Sequence, residues 1–191
     1  MTPEEVLAFW FAASPGAPGY GRMREVWFEK NPAFDEEVRR TLALAHEAAW
    51  AGASDGWATT GRGALTLVIL LDQVPRNIFR GEARAYACDA KARAVAEAAV
   101  ARGCDRALLP AERLFLYLPF EHSEVPADQE RALELFAALE AFPETTGVMK
   151  VVRRHAEIIR RFGRFPHRNA ALGRATTPEE AEFLKEPESS F

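Results

Sequence analysis

The chain has little cysteine, little lysine and no long apolar run, and each shortage excludes something. Two cysteines, Cys88 and Cys104, in 191 residues give neither a disulfide framework nor a metal-ligand spacing, so a reduced, cytoplasmic setting is expected. The longest greasy stretch, Ala64 to Leu71, falls far short of the about 20 residues that a membrane helix needs, and no membrane partner is expected. The opening Met-Thr-Pro-Glu-Glu is acidic and lacks the basic start of a secretory signal. Sustained period-two alternation is missing and Val/Ile/Thr clusters are scarce, which leaves helices as the building elements. There is no Gly-x-x-x-x-Gly-Lys-Ser/Thr loop, no Gly-x-Ser-x-Gly elbow, no His-Glu-x-x-His and no Glu-x-x-His pair. Phosphate-loop hydrolysis, an α/β-hydrolase triad and zinc or di-iron boxes are therefore unsupported. No metal is expected, no cofactor is identifiable and no catalytic residue is assigned.

What is present reads as an all-α single domain, residues 1–191, of about eight or nine helices around a buried central one. Apolar residues make up 48% and charged residues 27%, an ordinary globular balance. Thr2-Pro3-Glu4-Glu5 and Thr177-Pro178-Glu179-Glu180 are capping boxes with proline in the first turn. Helices are expected over Met23–Lys30, Phe34 to about Trp50, Ala90–Arg102 (with Asp89 as its cap), Leu114–Leu118 up to an interrupting Pro119, a stretch from Pro126, and Val148–Arg161 stopped by Gly163. All four tryptophans precede residue 58, and interior packing is the default for such rings. In the central helix Leu65, Leu67, Val68, Ile69, Leu70 and Leu71 spread right round the cylinder, which belongs inside a protein.

Three segments share one grammar of apolar helix, proline and polar cluster: Leu71 to Asn77, Leu118 to Glu124, and Phe162 to Asn169. Pro75 has no N–H for the Leu71 carbonyl, nor Pro119 for that of Phe115 if its helix continues. Asp72 falls on the wheel between Leu65, Val68 and Ile69. Opposing the helix dipole costs about 0.3–1 kcal/mol, but an unpaired buried charge costs several. The second effect dominates, so a cation is required: Arg76 one turn on, or an arginine of Arg164–Arg168. His155 sits on the apolar stripe of its helix, placed inward, where it is either a satisfied core residue or a site histidine meeting Glu121, His122 or His167. From Lys150 to Arg174 eight residues are basic and one, Glu157, is acidic, within a chain of net charge −4. A solvated face is the commonest outcome of such a run, and nucleic acid is disfavoured.

At these motifs the chain resembles a bacterial family called domain of unknown function 924. The residues that carry the resemblance are Leu-Leu-Asp-Gln-Val-Pro-Arg-Asn-Ile-Phe-Arg-Gly (70–81), Leu-Pro-Phe-Glu-His-Ser-Glu (118–124), Arg-Phe-Gly-Arg-Phe-Pro-His-Arg-Asn (161–169), Leu172-Gly173-Arg174 and Val6 to Phe11. The resemblance implies a tetratricopeptide-like, α-α superhelical fold and brings no activity, substrate or cofactor. The expected function is an internal polar pocket for a small anionic ligand. Its walls would be Asp72, Gln73, Arg76 and Asn77; Glu121, His122 and Glu124; and His155, Arg164, His167, Arg168 and Asn169, with arginines clamping a carboxylate or phosphate. Two alternatives stand beside it. One is a hydrolase- or transferase-type enzyme with His122 or His167 as proton carrier, oriented by Glu121 or Asp72. The other is a helical module for a peptide or protein partner, its polar clusters purely structural.

Overall fold

Thr2 starts the first helix as its box predicts. In the computed structural model, which describes residues 1–190, the Thr2 hydroxyl accepts from the Glu5 N–H at 3.3 Å, and the Glu5 carboxylate accepts from the Thr2 N–H at 2.7 Å. Helix α1 (Pro3–Trp10) follows. The Asn31 side chain accepts from the Phe34 N–H to start α2 (Pro32–Trp50), and the Thr60 hydroxyl accepts from the Gly63 N–H to start α3 (Gly61–Val68). Without a break α3 passes through one wide π turn, Ile69–Gln73, into α4 (Val74–Ile78). The others are α5 (Asp89–Ala101), α6 (Pro110–Glu121), α7 (Pro126–Ala137), α8 (Val148–Phe162) and α9 (Pro178–Phe183). Taking α3–α4 as one rod gives eight helices, and the described residues contain no strand, so the chain is all-α. No helix among the described residues is long and apolar enough to cross a membrane.

The α3–α4 rod is the centre. α1, α5 and α6 pack on α3, α2 packs on the π turn and α4, and α7 lies between α6 and α8. Leu65, Leu67, Val68, Ile69, Leu70 and Leu71 are each 0% exposed. Six such side chains contribute about 1.5–3 kcal/mol each, enough to carry the several kcal/mol of desolvating Asp72 on the same rod. A second, smaller core of Ile158, Ile159, Phe165 and Phe183 ties α9 to α8.

Several local expectations are corrected. Met23–Lys30 holds only a 3₁₀ turn, Glu25–Trp27. Eight residues make a marginal helix alone, and here tertiary contacts decide: the Trp27 indole donates to the Trp10 carbonyl at 3.1 Å and meets the Phe115 ring edge-on at 4.7 Å. Trp50 is exposed, unlike buried Trp10 and Trp27. Pro119 does not interrupt its helix; α6 runs through it, with the His122 N–H donating to the Leu118 carbonyl at 2.8 Å. An internal proline costs about 3 kcal/mol, and the burial of Leu114 to Leu118 and of Phe120 outweighs it. Asp89 is the first residue of α5 rather than its cap. Its carboxylate is engaged elsewhere.

Candidate functional site: a polar cleft below the central helix

Pro75 acts on the site through the π turn. The Val74 N–H reaches back five residues to the Ile69 carbonyl. In that register the Leu70 carbonyl would need an N–H from residue 75, which proline lacks. The orphan is therefore Leu70 rather than Leu71, and the buried ring of His46, on α2, fills the gap with Nδ1 at 2.8 Å from the Leu70 oxygen. A carbonyl only accepts, so Nδ1 carries the hydrogen. Burial, foremost, lowers the His46 pKa and keeps the ring neutral.

Past this turn Asp72 is 0% exposed and saturated with donors. His122 Nδ1 lies 2.9 Å from each carboxylate oxygen, Gln73 Nε2 donates to Oδ2 at 2.6 Å, and Arg76 Nη1 stands 3.2 Å from Oδ1. Burial pushes the Asp72 pKa up, but Arg76, then His122 and Gln73, more than reverse it and hold the carboxyl ionised, well below its usual range. The cation demanded by the sequence is Arg76. Its fork then closes on Asp89, at 2.8 and 2.9 Å, tying the rod to α5. Burial is the main cause that lowers the His122 pKa, with Asp72 opposing and Arg76 and Arg168 assisting.

The other two junctions meet this one. Glu121 and His155, each 2% exposed, form a second buried pair with Nδ1 3.0 Å from Oε1. Burial, then Asp72, pushes the Glu121 pKa up to about 8, and burial drives His155 well down. Both are neutral at pH 7. Glu124 receives the Arg174 fork at 2.7 and 3.0 Å and the Phe165 N–H at 2.8 Å. Burial, assisted by Arg168 and Arg76, lowers His167 to about 3. Arg168 is 5% exposed and lies over the Tyr86 and Phe165 rings at 4.8 and 4.5 Å. Its one carboxylate contact is Nη1 to Asp89 Oδ2 at 3.6 Å, too long for a hydrogen bond.

A cleft of ≈ 290 Å³ is lined by His122, Ser123, Glu124, Arg168, Tyr86, Asp89 and Arg93, with Ala90, Pro119 and Leu172. Three predicted site residues lie apart from it. Asn77 donates to Asp35 on α2 at 2.8 Å. Arg164 forks onto Glu180 at 2.6 and 2.9 Å, and Asn169 reaches the same carboxylate at 3.2 Å, so both clasp α9. Asp72, Gln73, Arg76, Glu121, His155 and His167 are not among the cleft's lining residues either. A larger groove of ≈ 570 Å³ at the start of α8 holds Lys150, Arg153 and Arg154, but these are outward cations, and Lys150 and Arg154 are paired with Glu188 and Glu186. The buried polar groups make the smaller cleft the better candidate. Of the eight basic residues of the 150–174 run, six stand within 3.3 Å of a carboxylate, whereas Arg153 and Arg168 each approach one only to 3.6 Å. Among the described residues no group of three or more His, Cys, Asp or Glu is arranged to hold a metal ion.

Sequence reasoning missed Asp89, Tyr86, Arg93, Arg174 and His46. Asp89 carried a misleading signal, its place at a helix start. His46 was detectable in principle, as an inward histidine on the apolar stripe of α2, opposite a rod whose proline had to orphan a carbonyl.

The sequence pattern of a group described as bacterial proteins of unknown function, DUF924, matches residues 6–188. The chain belongs to the DUF924 family. Its fold is shared with a solved protein of unknown function, ATU0120 from Agrobacterium tumefaciens, at 40% identity, 96% coverage of both chains and a TM-score of 0.83. No curated protein matches the chain. For this DUF924 protein the chemistry of the cleft is therefore the guide to function.

Proposed function

We propose that the protein binds a small anion in the cleft, a carboxylate or phosphate that seats on Arg168. One observation carries this. Arg168 is almost fully buried, its Nε has no hydrogen-bond partner among the described residues, and no N–H of its guanidinium makes a hydrogen bond to any other described residue. Buried polar groups are satisfied as a rule, and five donors at a cleft wall call for an oxyanion, which a guanidinium accepts as a fork. Burial, with Arg76 nearby, already pushes the Arg168 pKa down to about 10; a bound anion relieves that strain. Two free cysteines, one of them buried, support a cytoplasmic location.

The test is a titration with propionate and with inorganic phosphate, followed by NMR shifts of the arginine and histidine side chains. Wild type should bind at least one of them, and Arg168→Met should abolish binding without lowering the melting temperature. Failure of wild type to bind either, or unfolding of the variant, refutes an anion site and leaves Arg168 structural.

The Asp72–His122 pair supports a second proposal, acid–base chemistry on the bound anion. An ionised carboxylate fixes one ring nitrogen as donor and leaves the other basic. Turnover of a chromogenic phosphate or carboxylate ester, abolished in His122→Ala but kept in His167→Ala, supports it; equal turnover in both variants rejects it.

A further inference from the structure

We propose that the cleft selects small hydroxy-anions, with the oxyanion on Arg168 and the hydroxyl hydrogen donated to Nε2 of His122. This rests on the anion site proposed above and adds the ligand's second functional group.

The tautomer follows from geometry. Asp72, flanked by Arg76, His122 and Gln73, is held ionised and only accepts. Both of its oxygens lie 2.9 Å from His122 Nδ1, so the hydrogen sits on Nδ1. Gln73 and Arg76 fill the other positions around that carboxylate and fix it in place. A neutral ring then presents a lone pair at Nε2, for which no donor exists among the described residues, and His122 lines the cleft beside Arg168. The two groups differ in kind: Arg168 offers only donors, Nε2 only an acceptor. The complementary ligand carries an oxyanion and a neutral hydroxyl.

Size and charge narrow the class. The cleft volume of ≈ 290 Å³ corresponds to roughly ten waters at about 30 Å³ each, which admits a short hydroxy acid or phosphorylated alcohol. An ammonium in place of the hydroxyl is disfavoured. Arg76 and Arg168 repel it, while the neighbouring carboxylates Asp89 and Glu124 are already engaged by the forks of Arg76 and Arg174.

Lactate, propionate and alanine share a three-carbon carboxylate and separate these terms. Titrations of the full-length protein at pH 7.5 should show lactate, as one enantiomer, binding up to about tenfold more tightly than propionate, the span of a net neutral hydrogen bond. Alanine should bind no better than propionate. The variant His122→Gln should erase the difference between lactate and propionate. Nitrogen-15 spectra of the wild-type imidazole should show Nδ1 protonated and Nε2 bare, a readout independent of any variant's folding. Equal, Arg168-dependent binding of lactate and propionate overturns hydroxyl selection but leaves the anion site standing, as does a protonated Nε2. Absence of binding by all three overturns both.

Discussion

Replacing Glu121 by Gln should flatten a pH dependence that the fold imposes on this protein. Glu121 is 2% exposed, and its nearest titratable partner is His155, Nδ1 to Oε1 at 3.0 Å. Around the pair stand Asp72, which disfavours a second buried negative charge, and His122, His167 and Arg168, which disfavour a proton on His155. Burial first, then Asp72, raises the Glu121 pKa from 4.5 to about 8. The folded state therefore keeps a proton that the unfolded chain releases near pH 4.5. That stability is fully present below pH 4.5 and is lost as pH rises through about 8. His155 acts in the opposite sense. Its folded pKa lies well below 6.5, so its contribution grows with pH up to 6.5 and offsets Glu121 in the shared window. Above that, Glu121 acts alone. One proton corresponds to about 1.4 kcal/mol per pH unit, so the wild type should lose about 2 kcal/mol between pH 6.5 and 8. In Glu121→Gln the amide keeps the shape but cannot ionise, and His155 Nδ1 keeps its hydrogen bond to the Val151 carbonyl at 2.9 Å. Urea denaturation of both proteins at half-unit steps from pH 5.5 to 8.5 gives the comparison. The wild-type minus variant stability should fall steadily across this range, and the subtraction removes His155. A difference constant within about 0.5 kcal/mol would refute a neutral buried carboxyl at this position.

Other perturbations report on the rod and its polar end. His46→Leu leaves the Leu70 carbonyl buried without a donor and should cost about 1–3 kcal/mol, read as a lowered urea midpoint; an unchanged midpoint means another donor replaces it. A Cβ at Gly63 would lie 2.0 Å from the Trp57 carbonyl oxygen, whereas one at Gly56 meets nothing within 4 Å. Gly63→Ala should therefore cost about 3 kcal/mol and lower the melting temperature by roughly 10 °C, while Gly56→Ala leaves it near wild type; equal effects would show that the clash is relieved. Asp72→Ala strips the acceptor from His122 and Gln73 and should cost about 3–5 kcal/mol. Arg80→Ala, which breaks a largely exposed pair with Asp35, should cost less than about 1 kcal/mol. Reversal of that order in thermal melts would rule out Asp72 as the anchor of the polar end.

The legible part of this chain was whatever one helix decides for itself. Capping at Thr2 and Thr177, the all-round apolarity of Leu65 to Leu71, and the demand of Asp72 for a cation are local, period-3.6 facts; each is found, and of the two cation sources left open it is Arg76 that answers. The Met23–Lys30 segment failed because the Trp27 indole gains more from the Trp10 carbonyl and the Phe115 ring than eight residues gain from a helix. Pro119 failed in the other direction, since burial on both sides held the helix straight through the proline. Asp89 and Arg174 were illegible as site residues because their partners are 13 and 50 positions away, and no spacing rule links an arginine to a carboxylate at such distances.

The π turn explains why these distant residues meet. An ordinary α-helical rod would place Asp72 and Arg76 one turn apart on a single face, with the Leu71 carbonyl orphaned by Pro75. The wide turn inserts one residue, moves the orphan to Leu70 and hands it to His46 on α2. Arg76 can then use Nη1 for the Asp72 carbonyl and carboxylate on its own rod and extend its fork to Asp89 on α5. With Asp89 so engaged, Arg168 approaches it only to 3.6 Å. The π turn, the His46 donor and the Arg76 fork thus form one connected arrangement, and among the described residues Arg168 Nε has no hydrogen-bond partner.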